Sequence, residues 1–183
     1  MTPTGELLRD LFERIGDSVR RTASELDVVT LNQRPASGSN SIGWLLWHLT
    51  RSHDRNISEI AGVEQVWLES KWWEVFGRAA DGRDTGYGHS SFEAAGFWCP
   101  SAEAVVGYHA QVLDMIRVYV SGVDDLELAR VSTSATLNES RVVALRIGDV
   151  LAEGFQHAGQ AAYLAGMFSR GAHGPGAERS ADH

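Results

Sequence analysis

The sequence predicts an all-α fold: a four-helix bundle with a long aromatic-rich crossover between helices two and three. Three observations predict it. Four long stretches carry apolar residues at three-to-four spacing, the period of a helix with one buried face. No stretch shows the strict alternation of a half-buried strand. One connection, residues 63–100, is far longer than the loops that usually join neighbours in a bundle.

The first helix is expected over residues 6–27. Leu7, Leu8, Leu11, Phe12, Ile15, Val19, Thr22 and Leu26 form its apolar face, with Glu, Arg and Asp between them. Pro35, Gly38, Ser39 and Asn40 mark a loop, and Ser39 or Ser41 is placed to cap the next helix. That second helix is expected over 41–60, with Ile42, Leu45, Leu46, Leu49, Ile57 and Ile60 on one face and Trp44 and Trp47 flanking it. Gly43 in its first turn costs helix stability, which points to a close contact there.

The crossover combines glycines at 77, 82, 86, 88 and 96 with Trp67, Trp72, Trp73, Phe76, Tyr87, Phe92, Phe97 and Trp98. It is too aromatic for a linker and reads as an ordered excursion with short helical pieces over one end of the bundle. Pro100-Ser101 opens the third helix, 101–121, whose apolar sector holds Val105, Tyr108, His109, Val112, Leu113, Ile116, Tyr119 and Val120. Residues 130–140 are rich in Thr and Ser, extended or looped. The fourth helix is expected over 141–168. Residues 1–170 are expected to form a single domain, and 171–183, all Gly, Ala, His, Pro, Ser and charge, a disordered tail.

Composition narrows the function classes. A net charge of −8 argues against a basic nucleic-acid groove and against an anionic membrane surface as partner. No apolar run approaches the roughly 18–20 residues of a membrane helix, and Met1–Asp10 does not have the pattern of a secretory signal. The one cysteine, Cys99, cannot make an internal disulfide and reads as an inert buried thiol. These features point to a reducing cytoplasm.

Walker-type phosphate loops, GxSxG elbows and CxxC pairs are absent. The histidines are the better lead. Glu153 and His157 are four residues apart on helix four, so both side chains lie on one face, one turn apart. A third donor from a facing helix would complete a two-histidine, one-carboxylate set, suited to zinc, nickel or ferrous iron. Asp149 and Gln160 share that stripe and are placed to orient the ligands. Spacing alone leaves the other reading open, that the stripe is the wet face of the helix. On helix two, periodicity sets His53 deeper in the apolar sector than His48, which lies at its edge beside Trp44. Spacing does not choose between them.

Ser-Ile-Gly-Trp-Leu-Leu-Trp-His-Leu at 41–49, together with Glu-x-x-x-His-Ala-Gly-Gln-Ala-Ala-Tyr-Leu-x-Gly at 153–166, resembles the DinB/YfiT-like superfamily. With Gly-Tyr-Gly-His-Ser at 86–90, it resembles the actinobacterial branch that includes mycothiol-dependent enzymes. The resemblance spans helix two through helix four. It implies a four-helix bundle, commonly a homodimer, with a metal triad of one His from helix two and an H-x-x-x-H pair from helix four. Carried over, the ligands are His48, Glu153 and His157. The carboxylate at 153 departs from the usual pattern. It hardens the site and adds a negative charge, which moves preference toward iron or manganese; zinc still comes first, with iron, nickel or manganese open.

The reaction the resemblance implies is transfer of, or isomerisation through, a low-molecular-weight thiol such as mycothiol, against a small electrophile. His53 or Asp54 would take the proton. Glu153 also keeps a second reading alive, a non-catalytic, stress-associated binding bundle; a third, a metal-dependent hydrolase using activated water, shares the site but not the thiol.

Overall fold

The computed structural model describes residues 2–172, with side chains to Ser169. The expected tail therefore lies almost wholly outside the described residues. In chain order the elements are α1 (Pro3–Ala23), α2 (Val28–Asn32), α3 (Ile42–Ala61), α4 (Val66–Glu69), α5 (Trp72–Val75), α6 (Ser91–Ala95), α7 (Ala102–Val120), α8 (Asp125–Ala129), β1 (Val131–Ser134), β2 (Glu139–Val142) and α9 (Val143–Ala172).

The four long helices α1, α3, α7 and α9 form the bundle. α3 packs between α7 and α9, and α1 packs between the same two, so α1 and α3 stand on one diagonal. Their starts are written in the sequence. The side chains of Thr2, Ser41 and Ser101 accept hydrogen bonds from the backbone N–H groups of Gly5, Trp44 and Ala104, satisfying donors that the first turns leave open. α3 stops where Gly62 adopts φ +71°. Phe12, Ile15, Leu46, Leu49, Val112, Ile116, Val143 and Ala161 are sealed in one continuous core drawn from all four helices.

α3 is buried on every side from Ile42 to Ser58, polar positions included. Amphipathic spacing had given it one buried face. The crossover covers the other: Trp67, Phe76 and Phe97 lie over Trp47 and Tyr108, with ring centroids 4.7–6.2 Å apart where they meet. Arg51 of α3 fastens the crossover in place. Its guanidinium donates to the Asp84 carbonyl at 3.0 Å, the Gly82 carbonyl at 2.9 Å and Gln65 Oε1 at 2.9 Å, and sits 4.7 Å from the Trp67 ring.

The edges of the elements moved where short-range capping overrode periodicity. α1 ends at Ala23 rather than 27, because Asp27 caps a separate short helix through Thr30 N at 2.7 Å. Asp124 likewise caps α8, which periodicity did not suggest. The Thr- and Ser-rich stretch is a hairpin, with Val131 opposite Val142 and Ser134 opposite Glu139, turning through Asn138 at φ +52°. α9 begins after it, at Val143. Arg146 ties hairpin to bundle, donating to Ser132 Oγ at 2.8 Å, Asn56 Oδ1 at 3.2 Å and Glu59 Oε2 at 2.6 Å.

The close contact expected at Gly43 is present. A Cβ there would run into the Cys99 side chain and come within 3.1 Å of the Leu31 carbonyl. Gly43→Ala should destabilise the protein by about 1–3 kcal/mol, measured by urea unfolding, despite the better helix propensity of alanine. Unchanged stability would mean that this corner of the bundle is not close-packed. Cys99 itself is fully buried, and burial pushes its thiol up to about 12, so it stays protonated at neutral pH.

Candidate metal centre

His48 lies on α3 and Glu153 and His157 on α9, the pair of helices that face each other most extensively. His48 Nε2 is 2.8 Å from Glu153 Oε1, and His157 Nε2 is 3.9 Å from the same oxygen. One donor atom from each residue falls within 4.8 Å of the others. Of the two histidines that spacing left open on α3, His48 is the one that meets the Glu153–His157 stripe.

Each ring is held in a defined orientation. His48 Nδ1 is 2.5 Å from the Thr85 carbonyl, which can only accept, so Nδ1 carries a proton and Nε2 is the nitrogen turned to Glu153, placed to donate to the carboxylate or, once deprotonated, to give its lone pair to a cation. His157 Nδ1 lies 2.8 Å from Gln160 Oε1, which likewise leaves Nε2 to the cluster. The indole of Trp44 stacks on His48 at 4.6 Å between centroids and fixes the ring plane. Thr85 reaches the ring because Gly86 follows it at φ +85°. A Cβ at 86 would come within 2.9 Å of His48 Nδ1 and 3.0 Å of both Trp44 and Trp47.

Glu153 is anchored from its far side, where Oε2 accepts a short hydrogen bond from Ser52 Oγ. Burial alone would raise its pKa, but the hydrogen bonds from His48 and Ser52 and the charges of His48 and His157 bring it down to about 2. Burial holds His157 below the ordinary histidine range, so its Nε2 lone pair is available at neutral pH. Two imidazole lone pairs and one carboxylate oxygen, turned towards one point, are the donor set that zinc or ferrous iron takes. The residues fit a divalent transition metal.

Other residues singled out from sequence lie elsewhere. Gln160 orients His157, but Asp149 instead pairs with Arg141. His53 is buried between Phe12 and His109, at ring centroid distances of 5.3 and 5.8 Å. Asp54 is buried against Arg51, Tyr108 and the backbone N–H groups of Val66 and Trp67. The cleft beside the cluster has a volume of about 260 Å³, and neither His53 nor Asp54 lines it. The proton-accepting role expected for them therefore has no geometric support. Both are internal groups of the bundle.

Three contributors escaped the sequence reading. Ser52 stands one turn after His48, a spacing that would have flagged it once His48 was chosen. Thr85 acts through its main chain, which carries no sequence signal. Arg55 lines the cleft two turns after His48, and no spacing signal marks it.

The sequence profile described as the DinB superfamily matches residues 11–161. Among solved structures, a similar chain is that described as the "conserved protein of locus from Enterococcus faecalis". It has 23% sequence identity, a TM-score of 0.78, and an alignment covering 90% of this chain and 96% of that one. At that identity the likeness is one of fold. No curated protein matches.

Proposed function

This chain belongs to the DinB superfamily, and on that premise we propose that it is a divalent-metal-dependent enzyme. In this reading it joins a low-molecular-weight thiol of the mycothiol type to a small electrophile, or isomerises that electrophile through the thiol adduct. The observation that carries the metal is the convergence of His48 Nε2, Glu153 and His157 Nε2 with both rings already oriented. The thiol rests on the resemblance to the mycothiol-dependent branch. The single buried cysteine agrees with a reducing cytoplasm, and the resemblance supports a homodimer.

His48, Glu153 and His157 would hold the cation, zinc before iron, nickel or manganese. When bound it supplies Lewis acidity, which lowers the pKa of a thiol so that thiolate exists at neutral pH. The rest is done by the chain. The Thr85 carbonyl, Gln160 and Ser52 hold the three ligands in register. Trp44 prevents the His48 ring from turning. The cleft, with Tyr87, Leu137 and Val150 in its lining, is where a small molecule would sit beside the triad.

The test is elemental analysis of untagged protein purified without chelator. Near one equivalent of a transition metal is expected, and His48→Ala and His157→Ala should each lose it. Stoichiometric metal in either variant would remove the triad. With metal in hand, turnover of electrophiles that requires an added thiol separates this reading from a hydrolase, which needs none.

A further inference from the structure

We propose that the cleft beside the triad contains an anion-binding site built on Arg55, which seats a carboxylate of the small molecule that the cleft takes. That the molecule is the electrophile rests on the reading above; that the site binds a carboxylate does not.

Three arginines line the cleft, and two are satisfied. Arg146 donates to Ser132, Asn56 and Glu59, and Arg141 pairs with Asp149 and Glu139. Arg55 is 6% exposed, more buried than the core residues Leu8, Leu113 and Leu151, yet its Nε is sealed from solvent with no acceptor among the described residues. Among the described residues none accepts a hydrogen bond from its guanidinium, and none pairs with it as an ion. The two carboxylates whose fields it feels are already engaged, Glu59 by Arg146 and Thr136, and Glu153 by His48 and Ser52.

A buried guanidinium without a hydrogen-bonded partner is a costly thing for a fold to keep, because much of its hydration is lost and the fields of Glu59 and Glu153 are its only return. Arg51, one turn earlier on the same helix, shows what a structural arginine looks like here: every edge of its guanidinium is matched to a carbonyl, an amide, a phenol or a carboxylate. Arg55 has the same planar fork and lacks the partner. The group that fits a planar fork is a carboxylate, bound by two parallel hydrogen bonds. The volume of about 260 Å³ limits the ligand to a small acid. Because His48 and Glu153 line the same cleft, an acid held on Arg55 shares it with two of the three triad residues.

The probe is succinate, titrated calorimetrically into the full chain in low-chloride buffer, with and without one equivalent of zinc. Zinc content is measured on every sample. The variants are Arg55→Met, which keeps the apolar stem, and Arg55→Lys, which keeps the charge without the fork. Wild type should bind one succinate saturably. Arg55→Met should weaken binding at least roughly tenfold and Arg55→Lys by less. The melting temperature of Arg55→Met should equal or exceed that of wild type, since an unpaired buried charge has been removed; this also shows that the variant folds. Unchanged succinate affinity in Arg55→Met, or no saturable binding to wild type, overturns the site. Arg55-dependent binding in protein that takes no zinc would keep the anion site and remove the metal reading. Stoichiometric zinc with succinate binding indifferent to Arg55 would do the reverse.

Discussion

Asp54→Ala should be among the most damaging single substitutions in the chain, costing about 3–5 kcal/mol of unfolding free energy and roughly 6–20 °C of melting temperature. The carboxylate is fully buried and accepts five hydrogen bonds. They come from Arg51 Nη1 at 3.2 Å, Tyr108 Oη at 2.7 Å, Ser58 Oγ at 3.3 Å, and the backbone N–H groups of Val66 at 2.9 Å and Trp67 at 2.8 Å. Burial pushes its pKa above the ordinary carboxylate value, and Arg51, Tyr108 and the two N–H groups act against that. Removing the carboxylate leaves the fully buried Arg51 without a counter-charge and two N–H groups of α4 without an acceptor. The damage should travel. Arg51 holds the crossover at Gln65, Gly82 and Asp84, Asp54 holds it at Val66 and Trp67, and the residue after Asp84, Thr85, orients His48. Asp54→Ala should therefore also weaken metal retention, whereas Asp54→Asn, which keeps one acceptor oxygen, should lose less on both counts. Chemical denaturation beside metal content checks this. A loss in Asp54→Ala below about 1 kcal/mol would show that the network does not hold the crossover.

The reason Asp54 and its neighbours could be mistaken for catalytic groups lies in how α3 is buried. Periodicity reads one face of a helix, and Ile42, Leu45, Leu46, Leu49, Ile57 and Ile60 were legible on that basis. So were the long helices around them, whose centres need only local spacing. What periodicity cannot see is a second covering layer delivered from residues 63–100. That layer, with α9 and the hairpin on the other flank, turns Arg51, Ser52, Asp54, Arg55 and Ser58 into buried groups that must each find a partner. Four of the five find one within the protein.

The triad divides in the same way. Glu153 and His157 are one turn apart and were readable as a pair from spacing. The choice of His48 over the more deeply set His53 came from the family resemblance, because it depends on which face of α3 meets α9. The hairpin at 131–142 stayed ambiguous because four-residue strands of Ser, Thr, Val and charge carry no alternation to read. Arg146, Asn56 and Glu59 hold it from outside.

Acid should unfold this protein in a window set by two histidines that lie outside the candidate metal centre. His53 and His109 are buried side by side near Gly16 and Gly154, where a Cβ would come within 3.4 Å of His109 Nε2 and 2.5 Å of His53 Nε2. Thr50 Oγ1 lies 3.0 Å from His109 Nδ1. Among the described residues His109 Nε2 finds no hydrogen-bond partner, and for His53 the charge of Glu153 and the main chain of Val150 act to favour the charged ring. Burial brings His53 down to about 4 and His109 to about 3, the latter also because a charge on His53 would oppose it. Both pKa values are depressed in the folded chain relative to the ordinary 6.5 that the unfolded chain regains. Between pH 6.5 and about 4 the unfolded state thus binds protons that the folded state refuses. Stability is greatest above 6.5 and falls as pH drops, by on the order of 5 kcal/mol for the two together at about pH 4.5. That is a large share of a normal domain's stability. Glu153 acts in a separate window, since its contribution is lost only below the ordinary carboxylate value of 4.5, towards about 2. Urea midpoints measured from pH 7.5 to 4.5 should show the decline, and the His53→Leu/His109→Leu double variant should flatten it, whatever its absolute stability. An equal slope in that variant would assign the acid sensitivity to other groups.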